Sequence, residues 1–143
     1  MSKLVCDTNF LMKITSESLP TFSDFISKNH FDITTISSVV RELNGLRMSK
    51  KNSVARNANN CLNMMGKKIR LLDSGRFTEL GKEADIELFE LAKNLEEGSF
   101  VATLDGKLLS RFERSRLPYL TLRNDRPFLR SSHRATYLST RKD

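Results

Sequence analysis

Four acidic residues stand at positions that a parallel α/β sheet would bring together: Asp7, Glu42, Asp85 and Asp105. Asp7 directly follows the apolar run Lys3–Cys6, and Asp105 follows the run Ser99–Thr103 by one residue. Glu42 and Asp85 lie in the first turns of predicted helices that begin near the same rim. Because open parallel sheets bind ligands outside the carboxyl ends of their strands, we expect the four side chains to share one edge of the sheet.

Carboxylates gathered at one edge indicate a site for a hard cation. Their mutual repulsion raises the pKa of at least one of them, and a divalent ion relieves it. Mg²⁺ and Mn²⁺ prefer oxygen ligands. Such an ion polarises a phosphate and generates hydroxide from water, so that no protein nucleophile is needed. This suits a chain whose two histidines, His30 and His133, have no catalytic partners near a strand end and are expected to be ordinary surface residues.

Each acid taken alone also has a structural explanation. An Asp after a strand is often the N-cap of the next helix, which would account for Asp7 and Asp105. Glu42 could complement a helix dipole, and Asp85 belongs to an acidic stretch with seven carboxylates between residues 79 and 97. The residues by themselves leave the structural and the catalytic interpretation open.

The elements that must position these acids alternate along the chain. Strands are predicted at Lys3–Cys6, Phe31–Ile36, Ile69–Leu72, Ser99–Thr103 and Tyr119–Leu122. Helices are predicted at Thr8–Lys13, Thr21–Lys28, Val39–Leu46 with Ser37 as its cap, Ser49–Met65, Lys82–Glu96 and Asp105–Arg114. This order predicts an α/β fold with a central parallel sheet of about five strands and helices on both faces. On the helix Lys82–Glu96, Glu83 and Glu87 are expected to be solvated.

The bulk properties narrow the class of partner. The chain has 143 residues, the size of one domain, and a formal net charge of +7. The charge favours a polyanionic partner over a membrane surface, since no basic helix carries a large apolar face. Cys6 and Cys61 make no disulfide framework and no zinc spacing, and we expect buried thiols in a reducing compartment. Without a signal-peptide or membrane-spanning pattern, the chain is predicted to be cytoplasmic.

The C-terminal part differs in composition from the rest. Residues 1–123 are predicted to form one domain and residues 124–143 a basic tail. From Arg123 to Asp143 there are six Lys or Arg residues against two acids, with few apolar residues. Such a tail is either ordered on contact with RNA or a partner, or solvated without a specific role.

Four segments, in order, resemble the motifs of PIN domains. Leu4–Leu11 has an apolar strand, Asp-Thr-Asn and an apolar pair. Thr35–Leu43, Glu83–Leu88 and Val101–Leu109 are similar to the second, third and fourth motifs and carry the remaining acids. Leu117–Arg123 resembles the last strand in the branch related to ribosomal-RNA-processing factors. Together the segments cover about residues 3–123.

The resemblance implies a metal-dependent ribonuclease that uses Mg²⁺ or Mn²⁺, with Asp7, Glu42, Asp85 and Asp105 as catalytic and metal-binding acids. It also implies that Asn9 and Thr103 orient ligands or waters through hydrogen bonds, although strand-end hydrogen bonding would equally explain Thr103. The fourth motif departs from the family pattern. Leu104 stands where a polar residue is common, which weakens the case for a second metal site.

A basic span provides a candidate surface for RNA. From Arg41 to Arg70 there are eight Lys or Arg residues and one acid, Glu42. Five residues of this span, in and after the helix that carries Glu42, are predicted to bind RNA: Arg41, Arg47, Lys50, Lys51 and Arg56. A solvated helix face is the alternative. A site on a rim favours single-stranded RNA, whose backbone can be splayed out.

Three functions follow from these patterns. The first is an endoribonuclease, which would be either the toxin half of a VapC-type toxin–antitoxin pair or an RNA-processing factor. Its partner would be an antitoxin or a processing protein, and the family implies a homodimer. The second is a weakly active or inactive PIN-fold protein that binds RNA or acts as a scaffold in RNA processing or ribosome assembly. The third is a receiver-like phosphoryl-transfer domain, which requires a Lys at a late strand end where this chain has Thr103 and Asp105.

Overall fold

The structure is a computed structural model that describes residues 2–16, 30–72, 84–131 and 135–137. The predicted helix Thr21–Lys28 lies outside these residues. The described strands are β1 (Ser2–Cys6), β2 (Phe31–Thr35), β3 (Arg70–Leu71), β4 (Phe100–Ala102), β5 (Tyr119–Arg123), β6 (Arg126–Arg130) and β7 (Ala135–Tyr137). The described helices are α1 (Thr8–Ile14), α2 (Ser37–Leu46), α3 (Asn52–Met64), α4 (Ala84–Ala92) and α5 (Gly106–Arg114).

Strand β1 is the centre of the parallel part of the sheet. Its residues Leu4, Val5 and Cys6 are fully buried, as expected for a strand that is covered on both faces. β1 pairs in parallel with β2 on one side and with β4 on the other, and β3 and β5 extend the parallel part outward. The predicted α/β class, with about five parallel strands, is confirmed.

The sheet grows in two directions from β1, and this places helices on both of its faces. The described strands lie in the order β3-β2-β1-β4-β5-β6-β7. Since parallel crossovers are right-handed, α1, α2 and α3 cover one face and α4 and α5 cover the other. The contacts agree, because α2 packs on α3 and α1 while α4 packs on α5 and β4. The reversal of direction opens a crevice at the carboxyl ends of β1 and β4.

The C-terminal residues add two antiparallel strands to this sheet. β6 pairs with β5, with Thr121 opposite Phe128, and β7 pairs with β6. Phe128 is only 6% exposed and belongs to the core. Part of the span beyond residue 123, which composition assigned to a basic tail, is therefore part of the folded sheet.

The start of α2 also differs from the prediction. Ser37 is the first helical residue and not the cap, and the extended residue Ile36 precedes the helix without a capping side chain. The hydroxyl oxygens of Ser37 and Ser38 are buried, and no described residue hydrogen-bonds to them. The first turn of α2 thus contains two buried hydroxyl groups, of which the sequence had assigned only that of Ser37, to the cap.

Candidate active site

The carboxyl ends of β1 and β4 meet through backbone hydrogen bonds. Cys6 is in register with Ala102, and the amide of Asp7 donates to the carbonyl of Ala102 at 3.0 Å. The end of β2 lies on the other side, where the Thr35 hydroxyl donates to the carbonyl of Cys6 at 2.8 Å. The residues that follow these strands therefore lie at one rim of the sheet.

Asp7 is buried at this rim, with both carboxylate oxygens engaged. Oδ1 accepts a hydrogen bond from the amide of Phe10 at 2.8 Å and so caps α1. Oδ2 accepts a hydrogen bond from the hydroxyl of Thr103. Burial raises the pKa of Asp7 to about 6; the two hydrogen bonds oppose this, and the carboxylates of Asp105 and Glu42 add to it. Two of the other predicted acids, Asp105 and Glu42, thus lie near enough to Asp7 to affect its pKa.

Thr103 connects the two acids that follow β1 and β4. Its fully buried hydroxyl donates to Asp7 and accepts a hydrogen bond from the amide of Asp105 at 3.0 Å. Asp105 in turn caps α5, because its Oδ1 accepts from the amide of Lys107 at 2.8 Å and from that of Leu108 at 3.4 Å. Both acids therefore act as helix N-caps, as their positions after strands suggested. Both also lie at the crevice where a ligand would bind.

Glu42 reaches the same rim from α2. Its Oε2 accepts a hydrogen bond from the hydroxyl of Thr8, with the two oxygens 2.5 Å apart. Thr8 is the residue after Asp7, and the Glu42 charge contributes to the raised pKa of Asp7. Sequence patterns did not predict this role for Thr8, because its hydroxyl matters only once α1 and α2 are packed together.

Asp85 has a different environment. It lies in the first turn of α4, half-buried, and its Oδ1 accepts from the amide of the adjacent Ile86 at 3.0 Å. Within the described residues, no hydrogen bond links it to Asp7, Glu42 or Asp105. The structure thus places Asp105 and Glu42 near enough to Asp7 to raise its pKa, and the described residues show no such link for Asp85.

Glu87, which was expected to be solvated, is fully buried. Neither carboxylate oxygen has a hydrogen-bond partner among the described residues. The expectation was wrong because Glu87 falls on the same side of α4 as the buried residues Ala84 and Leu88. An acid on that side was not recognisable from a stretch dominated by other acids.

The described acids do not by themselves form a closed metal cage. Within residues 2–16, 30–72 and 84–131, no three His, Cys, Asp or Glu side chains converge closely enough to hold an ion. Asn9, predicted to support the site, is exposed on α1. The fit to Mg²⁺ or Mn²⁺ therefore depends on a small number of hard oxygen donors at the crevice, as expected for an ion that keeps most of its waters.

The predicted RNA-binding residues are all exposed: Arg41, Arg47, Lys50, Lys51 and Arg56. They extend from α2, which carries Glu42, through the turn into α3. No ion pair joins any of the five to an acid in the described part of the chain, although Arg47 donates to the side chain of Asn44 at 3.4 Å. Their positive charge is therefore uncompensated next to the rim.

Other sequence expectations concern the cysteines and the membrane. Cys6 and Cys61 are buried free thiols, as predicted. Burial raises the pKa of both, which leaves them unreactive. No helix in the described residues has the length and apolar character needed to cross a bilayer.

Comparison with known proteins supports the fold assignment. No family model matches the chain, and no curated protein matches it. Its structure is similar to that of the PIN domain endonuclease Utp24, with a TM-score of 0.61 and 16% sequence identity over 89% of this chain and 90% of the other.

The likeness extends over nearly the whole of both chains. At this level of identity it shows the architecture, and the chain therefore has the fold of PIN domains. The resemblance that the four motifs indicated is confirmed at the level of the fold.

Proposed function

We propose that this protein is a metal-dependent endoribonuclease that hydrolyses phosphodiester bonds of single-stranded RNA at the crevice between β1 and β4. The observation that carries the proposal is the linkage of Asp7 and Asp105 through the hydroxyl of Thr103, with Glu42 close enough to raise the pKa of Asp7. Helix capping accounts for Asp7 and Asp105 one at a time, but it does not account for Glu42, which lies within α2 and still faces the same rim. The fold shared with an endonuclease supports the same proposal.

The donor set suits Mg²⁺ or Mn²⁺. Asp7, Asp105 and Glu42 offer hard oxygens, with Asp85 as a fourth candidate, and their mutual repulsion is relieved by a cation. When bound, the ion supplies Lewis-acid polarisation of a phosphodiester. Thr103 holds the Asp7 carboxylate in place, and Thr8 does the same for Glu42. The basic residues from Arg41 to Arg56 attract the RNA backbone toward the rim.

Cleavage of a labelled, unstructured RNA in the presence of Mn²⁺ tests the proposal. We expect Asp7→Asn and Asp105→Asn each to lower the rate by at least about a hundredfold, because each removes a charge from the site. Asp32→Asn is the matched control, since Asp32 lies at the amino end of β2, away from the rim. Cleavage that persists unchanged in the double variant Asp7→Asn with Asp105→Asn would overturn the assignment.

A second function is favoured by the lack of a closed cluster of three acids in the described residues. A PIN-fold protein that binds RNA with little turnover, as a scaffold in RNA processing or ribosome assembly, keeps the basic surface but needs only weak metal binding. Calorimetric titration with Mn²⁺, next to RNA-binding and cleavage assays, separates the two. Salt-sensitive RNA binding without turnover at saturating Mn²⁺ supports the binding protein.

The cellular role of the nuclease is part of the proposal. A toxin of the VapC type predicts an antitoxin that blocks the crevice, whereas a processing factor predicts a defined precursor RNA. A homodimer and a cytoplasmic location accompany either role. Size-exclusion chromatography with light scattering tests the dimer, and growth arrest on expression that is relieved by the product of an adjacent small reading frame tests the toxin.

A further inference from the structure

A groove of about 830 Å³ lies between α5 and β5, on the far side of the crevice from α2 and α3. It begins at Gly106, the residue after Asp105, and follows one side of α5 through Ser110 to Arg114. Strand β5 contributes Arg123 to its wall. The groove thus starts beside an acid of the candidate active site and leads away from it.

The charge of this region is strongly positive once ion pairs are considered. From Lys107 to Arg130 there are seven Lys or Arg residues and two acids, Glu113 and Asp125. Both acids already have cationic partners. Glu113 lies 3.3 Å from Nε of Arg130, and Asp125 lies 3.3 Å from Nζ of Lys13.

The charged residues that line the groove are two arginines and one acid, Glu113, which already pairs with Arg130. Arg114 and Arg123 are exposed, and neither forms an ion pair with an acid in the described ranges. The guanidinium of Arg123 lies 3.8 Å from the centroid of the Phe128 ring, which holds its planar donor face in one orientation. A guanidinium that is held in place and has no carboxylate partner is suited to two parallel hydrogen bonds with a phosphate.

We propose that the groove between α5 and β5 binds the sugar–phosphate backbone of the RNA strand on the second side of the site, through Arg114 and Arg123. This inference rests on the proposed function, because it takes RNA as the substrate. α2 follows β2 and α5 follows β4, so the two basic surfaces flank the crevice at the ends of β1 and β4. A strand bound to both surfaces passes over Asp7 and Asp105.

Binding of a labelled single-stranded RNA, measured by fluorescence anisotropy in EDTA over a series of salt concentrations, tests the groove without any cleavage. We expect Arg114→Gln with Arg123→Gln to weaken binding by at least about tenfold and to reduce the slope of log K against log salt by roughly 1.4, about 0.7 for each lost contact. The matched control is Lys3→Gln with Lys93→Gln, which removes the same charge from residues outside the groove.

Cross-linking locates the RNA directly. Since Cys6 and Cys61 are buried, a thiol introduced by Ser110→Cys can be labelled selectively with a photoreactive group. Ser110 is exposed and lines the groove, whereas Glu97→Cys places the same label in an exposed turn before β4. We expect RNA adducts from position 110 and few from position 97.

The outcomes distinguish this inference from the proposed function. If the wild-type protein binds RNA but the arginine pair behaves like the lysine control, or if both positions cross-link equally, the groove is not a binding site and the nuclease proposal is unaffected. If the wild-type protein binds no RNA at any salt concentration, the groove proposal fails, and cleavage in Mn²⁺ decides the nuclease proposal separately. Loss of binding in the arginine pair, with an unchanged melting temperature, supports the groove.

Discussion

Asp7 combines a structural role with a position at the candidate active site. One oxygen caps α1 and the other accepts from Thr103, while its carboxyl is buried near Asp105 and Glu42. Its charged form is consequently less favourable in the folded protein than in the unfolded chain. This has a consequence for stability that can be measured without substrate.

The free energy of unfolding of the metal-free protein should fall as the pH rises from about 4 to about 6. The pKa of Asp7 is about 6 in the folded state against 3.8 in a free side chain, so the folded state binds more protons in this window. The loss through Asp7 amounts to about 3 kcal/mol and is complete above about pH 6.

Urea unfolding in EDTA at about pH 4 and about pH 7, for the wild type and for Asp7→Asn, isolates this contribution. The variant lacks the titrating group, so its free energy of unfolding should decrease less between the two pH values. An identical decrease in both proteins would show that Asp7 does not titrate in this range.

At the scale of the element, α4 carries a polar group where an apolar one would pack. Glu87 is fully buried between neighbours that belong to the core, and neither of its carboxylate oxygens has a hydrogen-bond partner in the described part of the chain. Burial of an unpaired polar group costs several kcal/mol, which an apolar residue of similar size avoids. The packing of α4 therefore does not explain why an acid stands at position 87.

Glu87→Leu should therefore raise the free energy of unfolding by roughly 1–3 kcal/mol. Chemical denaturation measures the change, and Glu90→Leu on the same helix is the control, because Glu90 is half-buried and pairs with Lys93. If Glu87→Leu lowers the stability instead, the carboxylate is engaged by a group that stabilises it.

Strand β6 belongs to a segment that was expected to be a solvated tail, and the structure shows that this segment packs into the sheet. Truncation after Arg123 should expose the edge of β5 and remove Phe128 from the core, and so lower the melting temperature by more than about 5 °C. Truncation after Tyr137 leaves β6 and β7 intact and serves as the control. Equal melting temperatures for both truncated proteins would show that these strands add no stability.

Local patterns were sufficient for the parallel part of the fold and insufficient for its edge. Apolar runs followed by helical periodicity identify β1, β4 and the helices beside them, and Asp7 and Asp105 follow from their positions after strands. β6 is rich in arginine because it lies near the edge of the sheet, so its composition resembles that of a solvated segment. The pairing of Thr103 with Asp7 depends on a contact between distant residues that no local pattern contains.

At the scale of the whole molecule, the distribution of charge matters more than its total. The net charge of +7 includes a basic surface on α2 and α3 and further basic residues along α5 and β5, on either side of the crevice that holds Asp7 and Asp105. Such an arrangement attracts a polyanion to the rim and orients it there. The affinity for RNA should then depend steeply on salt.

Replacement of Arg47, Lys50, Lys51 and Arg56 by Gln should reduce the slope of log K against log salt by roughly 2.8, about 0.7 for each residue. Anisotropy in EDTA measures the slope. Lys67→Gln with Lys68→Gln, at the far end of α3, tests how far along the span the contacts extend. A slope that does not change in the fourfold variant would exclude α2 and α3 as a phosphate surface.

The helix-capping role of Asp7 and Asp105 limits what can be learned from protein families. A relative of this chain without catalysis would still need a capping side chain at both positions, because α1 and α5 begin there, and Asp, Asn, Ser or Thr would serve. Glu42 lies within α2 and does not cap a helix. On the proposed function, an intact Glu42 is therefore a more informative sign of catalysis among relatives of this chain than an aspartate at either cap.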